Sequence, residues 1–322
     1  MPDAISLGEA LIDLFATPVG IPLRQATNFM AAPGGAPATV AVALARLGIP
    51  AGFVGLVGSD PWGGMLLDLL AAEGVDTTHF RQLAGVPTTL AVVAAIGPNE
   101  RDFILYRGAD TRLRPHDLDR AYIASAKVFL YGSVTLSEAA RDAALQAATY
   151  ARQAGVLVAF DANLRPFLWP GLDAAREGIM LGVRTADLLK VNETELELLS
   201  GTHDLSAGTR RLLDLGPRLC VVTLGEAGAY FNNGRAEGHV PGFTVDAVDA
   251  TGCGDAFLSG IVTGLLETAA APDALDGDGL RRMMRFAAAV GALTATRAGA
   301  MAALPMREMV DRFLSEAQPE ER

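Results

Sequence analysis

Apolar positions along the chain fall into two kinds of run. Short and nearly continuous ones, Ala4 to Leu7, Ala10 to Phe15, Ala51 to Val57, Lys127 to Tyr131, Val156 to Phe160, Ala186 to Val191 and Arg218 to Leu224, have the length of buried strands. Longer alanine-rich segments, Ala38 to Leu47, Met65 to Ala72 and Glu138 to Ala154, read as helices, and Gly48 and Gly74 close the first two. Strands alternating with helices predict an α/β fold with a mostly parallel sheet. One stretch breaks the alternation. Thr88 to Ile96 and Asp102 to Arg107 flank Gly97-Pro98-Asn99-Glu100, which predicts a β-hairpin, a flap that covers a ligand, meets a second subunit, or does both. Near the end, Arg281 to Arg297 predicts a helix able to wall an adenine pocket, and Met306 to Leu314 a closing helix. No repeat, linker or shift in composition marks a boundary, so residues 1–322 are read as one domain.

Composition narrows the function. Half of the residues are apolar and a fifth charged, and 26 basic against 37 acidic residues leave a formal charge of -11. That balance argues against a nucleic-acid surface and against anchoring on anionic lipid. The apolar runs are broken by Gly or Pro short of a membrane span, and MPDAISLGEA lacks the basic region of a signal peptide. With only Cys220 and Cys253 there is no disulfide framework, so a reducing, cytoplasmic setting is expected. The four histidines are scattered without metal-ligand spacing.

Candidate chemistry gathers where strands end. Val248 to Phe257, VDATGCGDAF, places Gly252, Cys253 and Gly254 just before Asp255, and Asp255 just before an apolar helix. Free N–H groups and partial positive charge at a helix N-terminus make an anion pocket, with a carboxylate at its edge. Asp255 can be a simple helix cap, a general base, or both. Cys253 reads first as a small packing residue, although a thiol at a helix N-terminus can be activated. Pro33-Gly34-Gly35-Ala36-Pro37 is a second glycine turn into a helix, equally explained by a tight turn or by close approach of a ligand. Asp13, alone among apolar neighbours, either alternates to solvent, the commoner case, or binds hydroxyls in a pocket. Arg107 reads as a solvated charge at the hairpin's end.

Asp161, Asn163 and Arg165 follow a strand at the edge where open α/β sheets bind ligands. Asn192 and Glu195 are explained by helix capping, or by a hydrated divalent cation held at the same edge. Thr223, Gly225 and Gly228 form a further glycine turn. Phosphoryl transfer fits these parts, because it needs positioning, charge neutralisation and a base, and little covalent work. GxxxxGK[ST] is absent, and the only lysines, Lys127 and Lys190, lie in strand-like runs.

Together the motifs resemble the ribokinase (PfkB) family of carbohydrate kinases. VDATGCGDAF resembles the family's second signature and PGGAPATVAVALARLG its first, in the same order, and FDANLRPFLW, KVNETELELLS and VVTLGEAGAYF resemble segments of bacterial fructokinases. The similarity runs from about Ile5 to Pro305. It implies a ribokinase-like three-layer sandwich around a nine-stranded type of sheet, with a β lid from about residues 10–30 and 88–108 that often clasps a second subunit. It also implies ATP as phosphoryl donor, Mg2+, and a K+ ion. By residue, it implies Asp255 as base, with Gly252, Cys253 and Gly254 as the anion hole. Asp13, Gly34, Gly35, Thr39, Arg107 and Arg165 would surround the sugar. Asn192 and Glu195 would sit near phosphate and Mg2+, Thr223, Gly225 and Gly228 near the nucleotide, and Asp249 and Thr251 in a monovalent-cation loop.

The chain departs from the family in places. Thr39 stands where Asn is usual, removing an amide from the sugar site. Ala36 replaces the Lys of ribokinases, which counts against ribose. Ala288 replaces a common Asn near the adenine, relaxing nucleotide preference, and Cys253 replaces Ala, which keeps the amides and adds a site for oxidation. The expected activity is phosphorylation of a primary hydroxyl of a ketohexose. The alternatives are a 2-keto-3-deoxygluconate kinase, with Arg107 and Arg165 pairing the acid, and a sugar-binding relative without catalysis.

Overall fold

The computed structural model describes residues 1–97, 101–137 and 139–317. Thirteen strands among them form two sheets. The larger contains β1 (Ala4–Leu7), β4 (Ala51–Gly58), β5 (Phe80–Leu83), β8 (Val128–Gly132), β9 (Leu157–Asp161), β10 (Leu188–Asn192), β11 (Leu219–Thr223), β12 (Ala229–Asn232) and β13 (Glu237–Val240), in the order β13-β12-β11-β10-β9-β8-β1-β4-β5. Every pairing in it is parallel except those that β12 makes with its two neighbours. This is the mostly parallel ribokinase-like architecture expected.

Alternation along each strand explains why helices cover both faces. Ile5, Leu7, Phe129, Tyr131, Val158 and Phe160 join one core with the helix Arg141–Gln153 and the helix Leu172–Val183. Ala4, Val128, Leu130, Ala159, Leu219 and Val221 join the opposite core with the helices Ala36–Arg46, Cys253–Thr268 and Gly277–Ala295. A strand buried on both sides has no solvent face to make polar, hence the continuous apolar runs. Each fully buried Val, Leu or Phe contributes about 1.5–3 kcal/mol.

The smaller sheet has the order β3-β2-β6-β7, from β2 (Leu11–Thr17), β3 (Asn28–Gly34), β6 (Leu90–Ala95) and β7 (Arg101–Tyr106). β6 and β7 pair antiparallel as the hairpin reading requires, while Pro98, Asn99 and Glu100 of the expected turn lie outside the described residues. β3 and β5 were not expected as strands. Both are edge strands, and β3 is mostly exposed and ends in Pro33-Gly34, so neither carries an apolar run. The expected helix Glu138 to Ala154 begins instead at Arg141, after a separate turn of helix at Ser133–Leu136, and Glu138 is outside the described residues. No described helix is long and apolar enough to cross a membrane.

The helix Cys253–Thr268 is wedged between elements far away in sequence. The Ser259 hydroxyl donates to the Val40 carbonyl at 3.4 Å, and the Arg46 guanidinium donates to the Leu304 carbonyl at 2.8 Å, pinning the first helix of the chain against its last quarter. Gly260 lets the helix Gly277–Ala295 come close, since a Cβ at position 260 would lie 2.5 Å from the Cα of Ala287. Gly260→Ala should therefore cost about 1–3 kcal/mol of stability by overpacking. Urea denaturation read by circular dichroism checks this, and an unchanged midpoint would contradict it.

Candidate active site

A cavity of about 580 Å3 opens at the C-terminal ends of the parallel strands, between the two sheets. Asp255 lies on its wall in the first turn of the helix Cys253–Thr268. That helix starts at Gly252, whose φ of 80° suits glycine, and no side chain caps it. Gly252 and Gly254 line the cavity. The Cys253 N–H is taken by the Ala250 carbonyl at 3.3 Å, so of the three expected anion-hole residues it is the one already engaged. Its thiol is pushed up to about 11 by burial and by Asp249 and Asp255, which leaves little thiolate at neutral pH.

Asp13 lines the cavity from β2 rather than facing solvent, and burial pushes it up to about 6, with Arg165 pulling back. Gly34 pairs opposite β2, and a Cβ there would run into the Asp13 carboxylate. Gly35 and Thr39 also line the cavity, as does Ala36. Arg165 projects from the loop after β9, exposed at the mouth. The structure keeps Arg107 apart from this group. Its guanidinium is buried 2.7 Å from the Asp110 carboxylate and is not among the cavity-lining residues. Phe103 of β7 meets Phe167 of the body across the mouth, ring centroids 4.4 Å apart.

Asn192 and Glu195 form a reciprocal cap. The Asn192 side chain accepts from the Glu195 N–H at 2.9 Å, and the Glu195 carboxylate accepts from the N–H groups of Asn192 at 2.8 Å and Leu164 at 2.6 Å. Glu195 thus ties the loop after β9 to the end of β10. Each of its oxygens holds one backbone donor and the side chain is buried, so of this pair it is Asn192, exposed at the end of β10, whose oxygen chemistry suits a hydrated Mg2+ that arrives with phosphate. No cluster of three His, Cys, Asp or Glu among the described residues could hold a bare ion.

Asp249 accepts from the N–H and hydroxyl of Thr251 at 2.9 and 2.7 Å, and its other oxygen from the Gly299 N–H at 3.0 Å. The donors at this loop are oxygens, which suits a hard cation. Thr223 ends β11, its hydroxyl 3.4 Å from the Val191 carbonyl. Gly225 and Gly228 have φ of 59° and 100° in the following turn; space beside Gly225 is open, whereas Gly228 packs against the Val240 carbonyl. Ala288 is buried in the core beside Met284 and Ala287.

Two residues outside the expected set matter most to the electrostatics. Lys190, read as part of a strand, ends its side chain in the cavity and donates to both oxygens of Asp161 at 2.9 and 3.1 Å. A Cβ on Gly254 would lie 3.3 Å from its ammonium, so the charge sits against the glycine turn. Burial works to lower the Lys190 pKa, and Asp161, Glu195 and Asp255 outweigh it, so the net shift is upward and the ammonium stays charged. Glu9, where the first apolar run breaks, is the second. Asp255 itself is pushed up to about 7 by burial, with Asp161 adding and Lys190 and Arg165 opposing. A carboxyl poised there suits a general base at neutral pH. The meaning of Lys190 emerges only from the register that sets it directly opposite Asp161 on the neighbouring strand.

A family model, "pfkB family carbohydrate kinase", matches residues 1–307. The chain belongs to the pfkB family of carbohydrate kinases. It is therefore a sugar kinase, a phosphotransferase, which displaces the non-catalytic alternative. It is 41% identical over 305 residues to "Probable fructokinase-2" of Arabidopsis thaliana, covering 94% of this chain and 92% of that one. Its structure is similar to that of a fructokinase from Xylella fastidiosa with bound ATP, with a TM-score of 0.89 and 34% identity over 98% of this chain and 99% of the other. A fructokinase double mutant from Vibrio cholerae O395, bound to fructose, ADP and a potassium ion, is similar with a TM-score of 0.85 and 32% identity, covering 98% of each chain.

The buried ion pair under the glycine turn generates a stability prediction. Lys190→Met should destabilise the kinase by about 3–5 kcal/mol, because it leaves Asp161 charged and unpaired. Adding Asp161→Asn should recover much of that loss in chemical denaturation; equal stabilities of wild type and Lys190→Met would contradict it.

Proposed function

We propose that this kinase transfers the γ-phosphate of ATP to a primary hydroxyl of a ketohexose, as a fructokinase does. The observation that carries the reading is the placement of Asp255, poised near neutrality, between an uncapped helix N-terminus and the carboxylate of Asp13 in one cavity. Asp13, Thr39 and the Gly34-Gly35 backbone hold the sugar hydroxyls, and Asp255 takes the proton of the attacking one. The amides of Gly252 and Gly254 and the nearby Lys190 ammonium face the charge that builds on the transferring group. Asn192, fixed by its reciprocal cap with Glu195, would hold Mg2+ through water, and the ion would neutralise phosphate charge. Asp249 and Thr251 would hold a K+ ion, which would add positive charge beside the anion site. Thr223, Gly225 and Gly228 lie on the nucleotide side.

A neutral sugar is favoured over a sugar acid. Two arginines were to pair the acid; Arg107 is buried beside Asp110 and outside the cavity lining, and Arg165 lines the cavity together with Asp13, whose charge it favours. A substrate carboxylate would meet a carboxylate there. Asp255→Asn should lower kcat by about 10²–10⁴-fold with folding and ATP binding retained. Full activity of that variant would remove the base assignment. ADP release measured with fructose, other ketohexoses and 2-keto-3-deoxygluconate decides the acceptor, and turnover of the sugar acid alone would overturn the ketohexose reading.

We also take the small sheet to be a lid within a single domain, and its outer face to be a homodimer contact. Phe29 of β3 and Ile104 and Tyr106 of β7 are exposed on the face of the small sheet that points away from the cavity, apolar side chains of the kind that mark association. A reducing, cytoplasmic setting accords with two free thiols. Sedimentation equilibrium at micromolar concentration should give a dimer mass, and Phe29→Glu with Ile104→Glu should shift it to monomer; a monomeric wild type would refute the contact.

A further inference from the structure

Asp255 shares its surroundings with a second acid that the transfer reaction leaves without a task. Glu9 sits at the junction of β1 and β2, 5% exposed, and its Oε2 has no hydrogen-bond partner among the described residues. A buried carboxylate oxygen without a donor is costly, so its presence calls for a use. Behind the main cavity is an inner one of about 20 Å3, lined by Glu9, Asp255, Asp161, Asn163 and Ser6 among others. That space suits one water molecule, and these side chains supply the two to four polar partners a buried water needs. Glu9 and Asp255 line both cavities.

The charged and titratable groups around the pair come from every element packed on it. Arg107 and Asp110 stand at the base of the small sheet and are engaged with each other at 2.7 Å. Lys190 of β10 is engaged with Asp161 of β9 at 2.9 Å. Arg165 is exposed at the mouth. Tyr131 of β8, held neutral by burial, lines the inner cavity, and the Thr135 hydroxyl lies close by, against Gly8. Lys190 thus already has an acid of its own, whereas Arg107 meets Asp110 through one nitrogen and keeps its buried Nε and Nη1 without a hydrogen-bond partner among the described residues. Burial pushes Glu9 up to about 7, with Arg107 and Arg165 opposing and Asp110 adding, and the charge of Glu9 in turn raises Asp255.

We propose that Glu9 is the proton acceptor behind Asp255, joined to it through one water in the inner cavity, and that it clears the base after each transfer. This rests on the reading of Asp255 as the base. In the transfer the O–H bond of the acceptor breaks and its proton passes to the Asp255 carboxylate. The oxygen bonds to the γ-phosphorus as the bond from that phosphorus to ADP breaks, ADP keeping the electron pair. The Asp255 carboxyl then protonates the inner water, which releases one of its own protons to Glu9, and Asp255 is a carboxylate again. Glu9 returns the proton to solvent through the main cavity. Since it acts through Asp255 and touches no reacting atom, Glu9 is a positioning residue for the base.

The test is the pH profile of Glu9→Gln, which keeps the side chain's size. In the wild type, kcat/KM should rise with pH through a midpoint near 7, where Asp255 loses its proton. Removing the neighbouring negative charge should move that midpoint down by about one pH unit. On the alkaline plateau kcat should fall roughly tenfold with the sugar KM unchanged, and Glu9→Asp should recover part of it. A superimposable profile, or a uniform loss with an unmoved midpoint, overturns the proposal. If Glu9→Gln does not fold, carboxyl 13C NMR titration of the wild type and Asp255→Asn serves instead. The Glu9 midpoint should drop in Asp255→Asn, and an unmoved one overturns the coupling. An active Asp255→Asn would sink the base reading, whereas an inactive one beside an unmoved Glu9→Gln profile sinks only the role of Glu9.

Discussion

Acids crowd the end of a sheet where little water is left to screen them. Asp161, Glu195 and Asp255 converge there on the ammonium of Lys190, while Glu9 lies within the influence of Arg107 and of Arg165 at the rim. In such a medium each carboxylate must find donors or lose its charge. Asp161 has the ammonium and Glu195 has two backbone N–H groups. Asp255 and Glu9 lack comparable partners, and burial raises their affinity for protons; it raises that of Glu195 as well, with Asp161 adding and Lys190 and the two N–H groups opposing. The acids with partners tie neighbouring loops and strands together, a role set by hydrogen bonding rather than by residue type.

The cavity itself is built from the same constraint. One acid, Asp13, lines it, pressed against a glycine that leaves it room. The arginine at the foot of the hairpin is withdrawn into its own ion pair with Asp110, which also accepts from the Thr89 hydroxyl. Aromatic contact between Phe103 and Phe167 supplies an apolar rim that joins the small sheet to the body.

Much of the architecture was legible because strands buried on both faces cannot disguise themselves. The runs at 4–7, 51–57, 156–160 and 218–224 mark true strands, and the polar residues just beyond them mark the edge where ligands bind. Edge strands escaped notice for the opposite reason. Asn28–Gly34 and Phe80–Leu83 pair on one side only and tolerate polar residues and proline. In the site, glycine turns were readable from local sequence, since a helix start with no cap is a local property. Lys190 and Glu9 were not, because their meaning comes from partners on other strands. A lysine in an apolar run looks like a solvated charge until β9 is laid beside β10. Arg107, read from the residues as a solvated charge, is instead buried beside Asp110, three residues on, and outside the cavity lining.

The hydrogen bonds from Ser259 to Val40 and from Arg46 to Leu304 have a consequence for how the enzyme comes into being on the ribosome. The first helix leaves the exit tunnel more than two hundred residues before the segment it is built to hold. Until then its apolar stripe, with Val40 and Leu44, can pack on Ala4, Ala51, Val128 and Leu130 of the sheet but lacks the cover of the helix Cys253–Thr268. Central strands can assemble early from their own neighbours, yet the catalytic pocket closes only when the last quarter of the chain arrives. A nascent polypeptide is therefore largely sheet long before it is a kinase, and its beginning must wait for its end.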